Sequence, residues 1–162
     1  MNLPDHQPPS PPSRKPSQVI RRRQMHMAVL ARAERGDLQA LLGTLDPQPA
    51  FSMLKPPETG TVMVEGRAGG AGSRFNLGEA TLTRCAIRLE SGTIGFCHAL
   101  GRDKEKARLA ALLEAALQDE PDGGPLHAGL NEIAARQRAA KALASRKAAA
   151  SKVEFFTMVR GE

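Results

Sequence analysis

ETGTVMVEGRAGGAGSRFNLGEATLTRCAIRLESGTIGFCHALGRD, residues 58–103, is the stretch that decides how this chain folds. It holds the densest β-forming sequence, a Gly/Arg cluster, and both cysteines, Cys85 and Cys97. Ser91-Gly92 separates two β-rich arms, Phe75–Glu90 and Thr93–Leu100, and predicts a hairpin closed by a two-residue loop. That register sets Leu89 against Ile94, Ile87 against Phe96, Cys85 against His98 and Thr83 against Leu100. One face then collects Leu89, Ile87, Cys85, Ile94, Phe96 and Leu100, as burial requires. Two corollaries follow. Cys85 and Cys97 point to opposite faces, which disfavours a disulfide, and His98 falls on the apolar face as a core histidine. A three-residue loop would bring the cysteines opposite one another but scatter the apolar set, so the shorter loop is preferred.

Just upstream lies Gly66-Arg67-Ala68-Gly69-Gly70-Ala71-Gly72-Ser73-Arg74. It is not a P-loop, because no GK[ST] follows and the next segment is strand-like. Nor does its glycine spacing match a dinucleotide-binding fingerprint. In the favoured structural reading the glycines supply positive-φ positions in a wide hairpin connection. In the functional reading, Arg67, Gly69, Gly70, Gly72 and Arg74 are candidates for phosphate or nucleotide binding. Successive backbone N–H groups would form an anion nest, and the two guanidinium groups would add charge-assisted hydrogen bonds.

Downstream, Asp103 to about Gln118 reads as a strong helix with Asp103 as its cap. Ala107, Ala110, Leu113 and Leu117 form a stripe able to cover the hairpin. The turn-forming run Asp119–Pro125 ends it. Leu126–Ser151 is Ala-rich and helical, with a sparse apolar line of Leu130, Ile133, Ala140 and Leu143 and a basic surface, which suggests an extended arm. Val153–Glu162 is strand-like and apolar on both faces, a segment suited to its own sheet or a neighbour's.

Upstream, Thr61–Glu65 reads as a buried strand and Ala50–Leu54 as a short edge strand that Pro56-Pro57 ends. Val19–Leu45 is helical in pattern, broken at Gly36-Asp37, with Asp37 suited to the N-cap of a second helix. Arg21, Arg22 and Arg23 open the first helix and read as a solvated run. Residues 1–18 hold half of the 12 prolines and almost nothing apolar, and read as a disordered tail. The expected architecture is α/β of the α+β type: one domain over residues 19–162, including a C-terminal arm over 126–162. A small mixed or antiparallel sheet with a central hairpin is flanked by helices, and a C-terminal helical arm and terminal strand follow.

The 162 residues carry a net charge of +6, with aromatics at 3% and neither Trp nor Tyr. The core is therefore thin, and some apolar surface is expected to meet another chain. Without Trp or Tyr there is little to stack on bases, which argues against nucleic-acid binding despite the charge. Two cysteines are too few for a disulfide framework or a closed zinc site. There is no apolar run of 18 residues and no apolar leader, so a cytoplasmic protein is expected. His26, His98 and His127 stand isolated in sequence. No catalytic residue, metal site or bound cofactor is therefore assigned to this chain, and an independent phosphotransferase ranks last among the functions considered.

Several separated motifs, in order, resemble one family: Glu58-Thr59-Gly60, Arg67–Gly72, Phe75-Asn76-Leu77-Gly78-Glu79 with Thr81 and Thr83-Arg84, Gly101-Arg102-Asp103, and Phe155-Phe156-Thr157-Met158-Val159-Arg160-Gly161. The chain from about Met27 to Glu162 is similar to the G-subunit family, PhnG, of the bacterial carbon–phosphorus lyase core complex. The Pro-rich tail and Phe96-Cys97-His98-Ala99 depart from the pattern. The resemblance implies a role in organic phosphonate catabolism beside H, I and J subunits and an ATPase-like L protein. The reaction implied is displacement of adenine from ATP by a phosphonate, giving α-D-ribose 1-methylphosphonate 5-triphosphate. ATP is then a substrate of the complex, the I subunit is the expected direct contact and home of the chemistry, and this chain is a non-catalytic subunit. The alternative is a basic nucleic-acid-binding or other interaction protein without enzymatic activity.

Overall fold

A computed structural model describes residues 17–67 and 72–150. The Pro-rich segment up to residue 16 and the terminal strand expected at Val153–Glu162 lie outside the described residues. The elements run α1 (Gln18–Arg32), α2 (Arg35–Leu42), β1 (Phe51–Arg67), β2 (Arg74–Leu89), β3 (Ile94–Leu100), α3 (Lys104–Asp119) and α4 (Pro125–Ala150). The three strands form one antiparallel sheet in the order β1-β2-β3. This is the α+β arrangement expected, with the hairpin central and a long C-terminal helix.

Helix α3 organises the core. Asp103 caps it by accepting the Lys106 N–H at 2.9 Å, and Glu105 favours its positive end. Its buried residues run from Ala107 to Leu117 almost without interruption, so it is enclosed on nearly all sides. Sheet residues Cys85, Ile87 and Leu89 meet it from one side, and Leu30, Leu38, Leu41 and Leu130 of the other helices complete the cluster. Each large aliphatic side chain enclosed there contributes about 2 kcal/mol through removal from water.

The β2–β3 register differs by one residue from the sequence expectation. Cys85 pairs with Cys97, Ile87 with Gly95, and Arg84 with His98. The connection is a three-residue loop: the Leu89 N–H donates to Thr93 O, and Gly92 adopts φ +91. A three-residue loop that ends on a left-handed glycine is a standard hairpin solution. The helix-facing residues of β3 are therefore the small ones, Gly95, Cys97 and Ala99, while Phe96 and Leu100 face away. The physical reason is the closeness of α3. A Cβ on Gly95 would stand 2.0 Å from the Ala111 carbonyl oxygen and 2.8 Å from the Ala115 Cβ. Small residues on strand and helix let the two backbones approach, and the larger apolar residues have no room between them. His98 is accordingly exposed rather than a core histidine, and the cysteines share one buried face.

Three further expectations are corrected. The second helix is capped at Glu34, so Asp37 sits inside its first turn rather than at its N-cap. The segments expected as two strands form one 17-residue strand, with register shifts between Met53 and Glu58 that absorb Pro56-Pro57. Proline is tolerated there because β1 is an edge. The arginine run is not simply solvated. Arg23 donates from Nε to Glu114 Oε1 at 2.6 Å and from Nη2 to Ile94 O at 3.0 Å, and Arg22 pairs with Asp122.

The Glu114 carboxylate, 1% exposed, is the polar centre of the core. Arg23 holds both its oxygens, the Phe96 N–H donates to Oε2 at 2.9 Å, and Gln118 Nε2 donates to Oε1 at 3.1 Å. These bonds tie α1, α3 and β3 together. A buried carboxylate persists only when its lone pairs are filled in this way.

Candidate functional site

The same strands that form the core leave it at one end. Strand β3 pairs only with Leu82–Arg88 of β2. The preceding half of β2, from Arg74 to Thr81, pairs with Thr61–Arg67 of β1 alone. The result is a two-stranded ribbon beyond the third strand. Such a pair is marginally stable in water by itself. Its side chains are apolar nonetheless: Val62, Met63, Val64, Phe75 and Leu77 are all at least 41% exposed. Among the described residues Thr61–Glu65 is therefore not a buried strand, because it lies on the edge strand with no third strand beside it.

Alternation along the ribbon puts Val62, opposite Ala80, and Val64, opposite Gly78, on the face turned away from the helices. Phe96 and Leu100 of β3 lie on that same face, and Leu100 is 70% exposed. A register shift at Val64/Glu65 leaves Leu77 as the extra residue of a bulge. Leu77 lies across Gly66, where an added Cβ would meet its Cδ1 at 2.0 Å. Gly66 is thus a seat for Leu77. On the sheet face away from the helices, Leu100, Leu82, Val62 and Val64 form an apolar strip out along the ribbon, and the cross-strand row Glu58, Arg84 and His98 separates it from Phe96.

At the ribbon's end Arg67 and Arg74 are direct cross-strand partners. Like charges so placed repel one another. Part of that repulsion is relieved locally: Arg67 Nη1 donates to Gly72 O at 3.3 Å, and Arg74 pairs with Glu65 at 3.6 Å. The structure therefore brings Arg67, Gly72 and Arg74 together, while Gly69 and Gly70 lie outside the described residues. Exposed pairs at these distances contribute at most about 1 kcal/mol.

Other titratable groups have structural duties. His127 Nδ1 lies 2.7 Å from Glu120 Oε2. The same carboxylate accepts the Leu126 and His127 backbone N–H groups, each at 3.0 Å, so it satisfies the first turn of α4. Burial acts to raise the Glu120 pKa, but these hydrogen bonds outweigh it and hold the carboxyl below the usual range. The His26 ring meets His127 edge-on at 5.3 Å, and burial first, then His127 and Arg22, lowers its pKa. These two histidines are neighbours, not isolated, although 101 positions apart in sequence. Burial, then the neighbouring Cys85, pushes the Cys97 thiol up to about 12, and burial also raises that of Cys85. Thiols so placed stay protonated and are poor nucleophiles. Among the described residues no group of three or more His, Cys, Asp or Glu side chains is placed to hold a metal ion.

The geometry of the described residues defines a class: a two-layer α+β protein with one sheet face that they leave uncovered and an apolar ribbon extending past its core. Residues 21–161 match the family model described as phosphonate metabolism protein PhnG. The α-D-ribose 1-methylphosphonate 5-triphosphate synthase subunit PhnG of Rhizobium meliloti (strain 1021) is 42% identical over 143 residues, spanning 88% of this chain and 92% of that protein. The chain belongs to the PhnG family of phosphonate metabolism proteins. The family was legible in motifs spread along the chain, of which the ribbon carries Arg67, Phe75–Glu79 and Thr81. The part-buried Arg23–Glu114 link was missed; its sequence signal was Glu114, the acidic residue inside the apolar run Leu109–Leu117.

Proposed function

We propose that this chain is a non-catalytic, obligate subunit of a cytoplasmic α-D-ribose 1-methylphosphonate 5-triphosphate synthase complex. It docks through the ribbon and uncovered sheet face against the H, I and J subunits, with the I subunit its direct neighbour. The complex transfers the ribose 5-triphosphate moiety of ATP to methylphosphonate and releases adenine. This chain binds no cofactor of its own. The observation that carries the reading is the 42% identity to a subunit of that synthase over nearly the full length of both chains. The exposed apolar ribbon supports it physically, since a free hairpin of this composition gains its stability from a partner.

Within this reading Arg67 and Arg74, at the end of the ribbon, bind the triphosphate together with Gly72, and Gly69 and Gly70 are the further candidates for holding its phosphate groups. The juxtaposition of two guanidinium groups favours it, because an anion between them would remove their repulsion. Co-expression with and without the H, I and J partners tests the function, with solubility, stoichiometry and adenine release from ATP plus methylphosphonate as readouts. Full adenine release by the partners without this chain would overturn it. Arg67→Ala with Arg74→Ala is expected to lower adenine release at unchanged stoichiometry, and unchanged turnover would remove the anion site.

A further inference from the structure

A second surface lies on the opposite layer, in the groove between α1 and α4. Its volume is about 600 Å³. Val29, Leu130 and Ala134 form an apolar floor, and Met25, 64% exposed, stands at one end. Three cations, Arg32, Arg138 and Lys141, line the groove and are exposed, while among the described residues no carboxylate lines it. Nearby basic residues of both helices are engaged: Arg22 with Asp122, Arg23 with Glu114, and Arg136 with Asp37. The groove cations thus stand apart from the ion pairs that hold the helices in place. The Gln137 side chain donates to Val29 O at 3.0 Å and holds the two helices together beneath the groove.

We propose that this groove receives an acidic amphipathic helix from a partner polypeptide. The inference rests on the reading of the chain as a subunit, and adds a second docking surface and the chemistry of its occupant. The lining residues recur at helical spacing, Met25, Val29 and Arg32 on one side and Leu130, Ala134, Arg138 and Lys141 on the other. At about 1.5 Å per residue these stripes extend roughly 10 to 16 Å, two to three turns of a helix laid along them. A compact phosphate ligand fits poorly, because helix flanks offer no free backbone N–H groups and the cations are spread along the groove. There is no strand edge here for an extended peptide to join.

The chain's own ends do not match the charge. Residues 1–16 carry Asp5 against Arg14 and Lys15, and residues 151–162 carry Glu154 and Glu162 against Lys152 and Arg160. Neither is acidic in net. A second copy, at +6, is no better suited. The complementary occupant is another protein's helix, with aliphatic residues for the floor and Asp or Glu one turn apart for the cations.

The test uses the full chain co-expressed with its H, I and J partners. A photo-crosslinker, p-benzoyl-phenylalanine, replaces Ala134, and the captured peptide is identified by mass spectrometry. The expected product is a partner segment with acidic residues at helical spacing. In parallel, Arg32→Glu/Arg138→Glu/Lys141→Glu, exposed positions that should leave the fold and its circular dichroism unchanged, is expected to weaken assembly about tenfold or more and to flatten its salt dependence. Crosslinking to the chain's own ends, to a basic segment or to nothing overturns the proposal. So does undiminished assembly of the folded triple variant, or ATP shifting the NMR signals of groove residues in the isolated chain, which would mark a small-anion site. If the wild-type chain assembles with no partner, the subunit reading fails as well; if it assembles and the triple variant does so equally, only the groove fails.

Discussion

The two ends of β2 make a comparison within a single strand. From Thr83 to Leu89 its helix-facing residues are buried under α3, and β3 and β1 flank it. From Arg74 to Glu79 it has one neighbour and every residue is exposed. Both halves carry large apolar side chains, Phe75 and Leu77 in one and Ile87 and Leu89 in the other, so their presence does not separate the two. What separates them is whether another of the described elements covers them. The contrast teaches that apolar content alone did not select the core; the reach of one 16-residue helix did.

Four experiments would break or sharpen that contrast. The largest effect is expected at Gly95, where a side chain would collide with the α3 backbone. Gly95→Val should cost about 3 kcal/mol or more, read as a lowered urea midpoint. An unchanged midpoint would mean that helix and sheet are not closely packed. Next, Arg23→Ala strands the Glu114 carboxylate in the core and should cost about 2 to 3 kcal/mol by the same assay, with Arg23→Lys recovering part of it. On the ribbon, Val62→Ser with Val64→Ser should change the unfolding free energy of the chain alone, read from the same urea curves, by no more than about 0.5 kcal/mol, yet reduce co-purification with partner subunits. A core-sized loss of stability there would erase the distinction between the two halves.

The smallest effect at neutral pH, and a visible one in alkali, concerns the paired thiols. Unfolded, a cysteine releases its proton near pH 8.5, whereas folded Cys97 keeps its proton to about 12. Between those values the unfolded state binds fewer protons, so stability is full below about pH 8.5 and falls as pH rises toward 12. Cys97→Ala should flatten that alkaline slope in denaturation curves taken from pH 8 to 11. Native Cys85 and Cys97 should also resist iodoacetamide until urea exposes them, and rapid native labelling would contradict their burial.

Much of this was legible in residues. Asp103 and the stripe from Ala107 to Leu117 announced α3 and its cap, and the ordered motifs around Glu58, Arg67, Phe75 and Gly101 announced the family. The hairpin register was not legible, because the size of the apolar side chains favours one register and the closeness of the covering helix, which sequence does not display, favours the other. The signal was present: Gly95, Cys97 and Ala99 are the small residues of β3, and α3 is rich in alanine. Matching small to small would have favoured the three-residue loop. The exposure of Val62 and Val64 was illegible for another reason. Local sequence encodes a preference for extended backbone, whereas the covering layer is settled by elements dozens of residues away. The partnership of His26 with His127 is likewise a product of tertiary packing, with no spacing rule to announce it.

The bonds around Glu114 have a consequence for how the sheet can grow. Strand β3 is an edge, yet its outward Phe96 N–H is held by Glu114, and the Ile94 carbonyl is occupied by Arg23 and Gln118. Side chains from α1 and α3 have filled the positions that an added strand would need there. The opposite edge, β1, is interrupted by Pro56-Pro57 and resumes as Glu58–Arg67. Among the described residues the sheet is therefore one-ended: lateral extension is closed along the first residues of β3 and open along the ribbon, so strand addition and misassembly by edge pairing both have a direction.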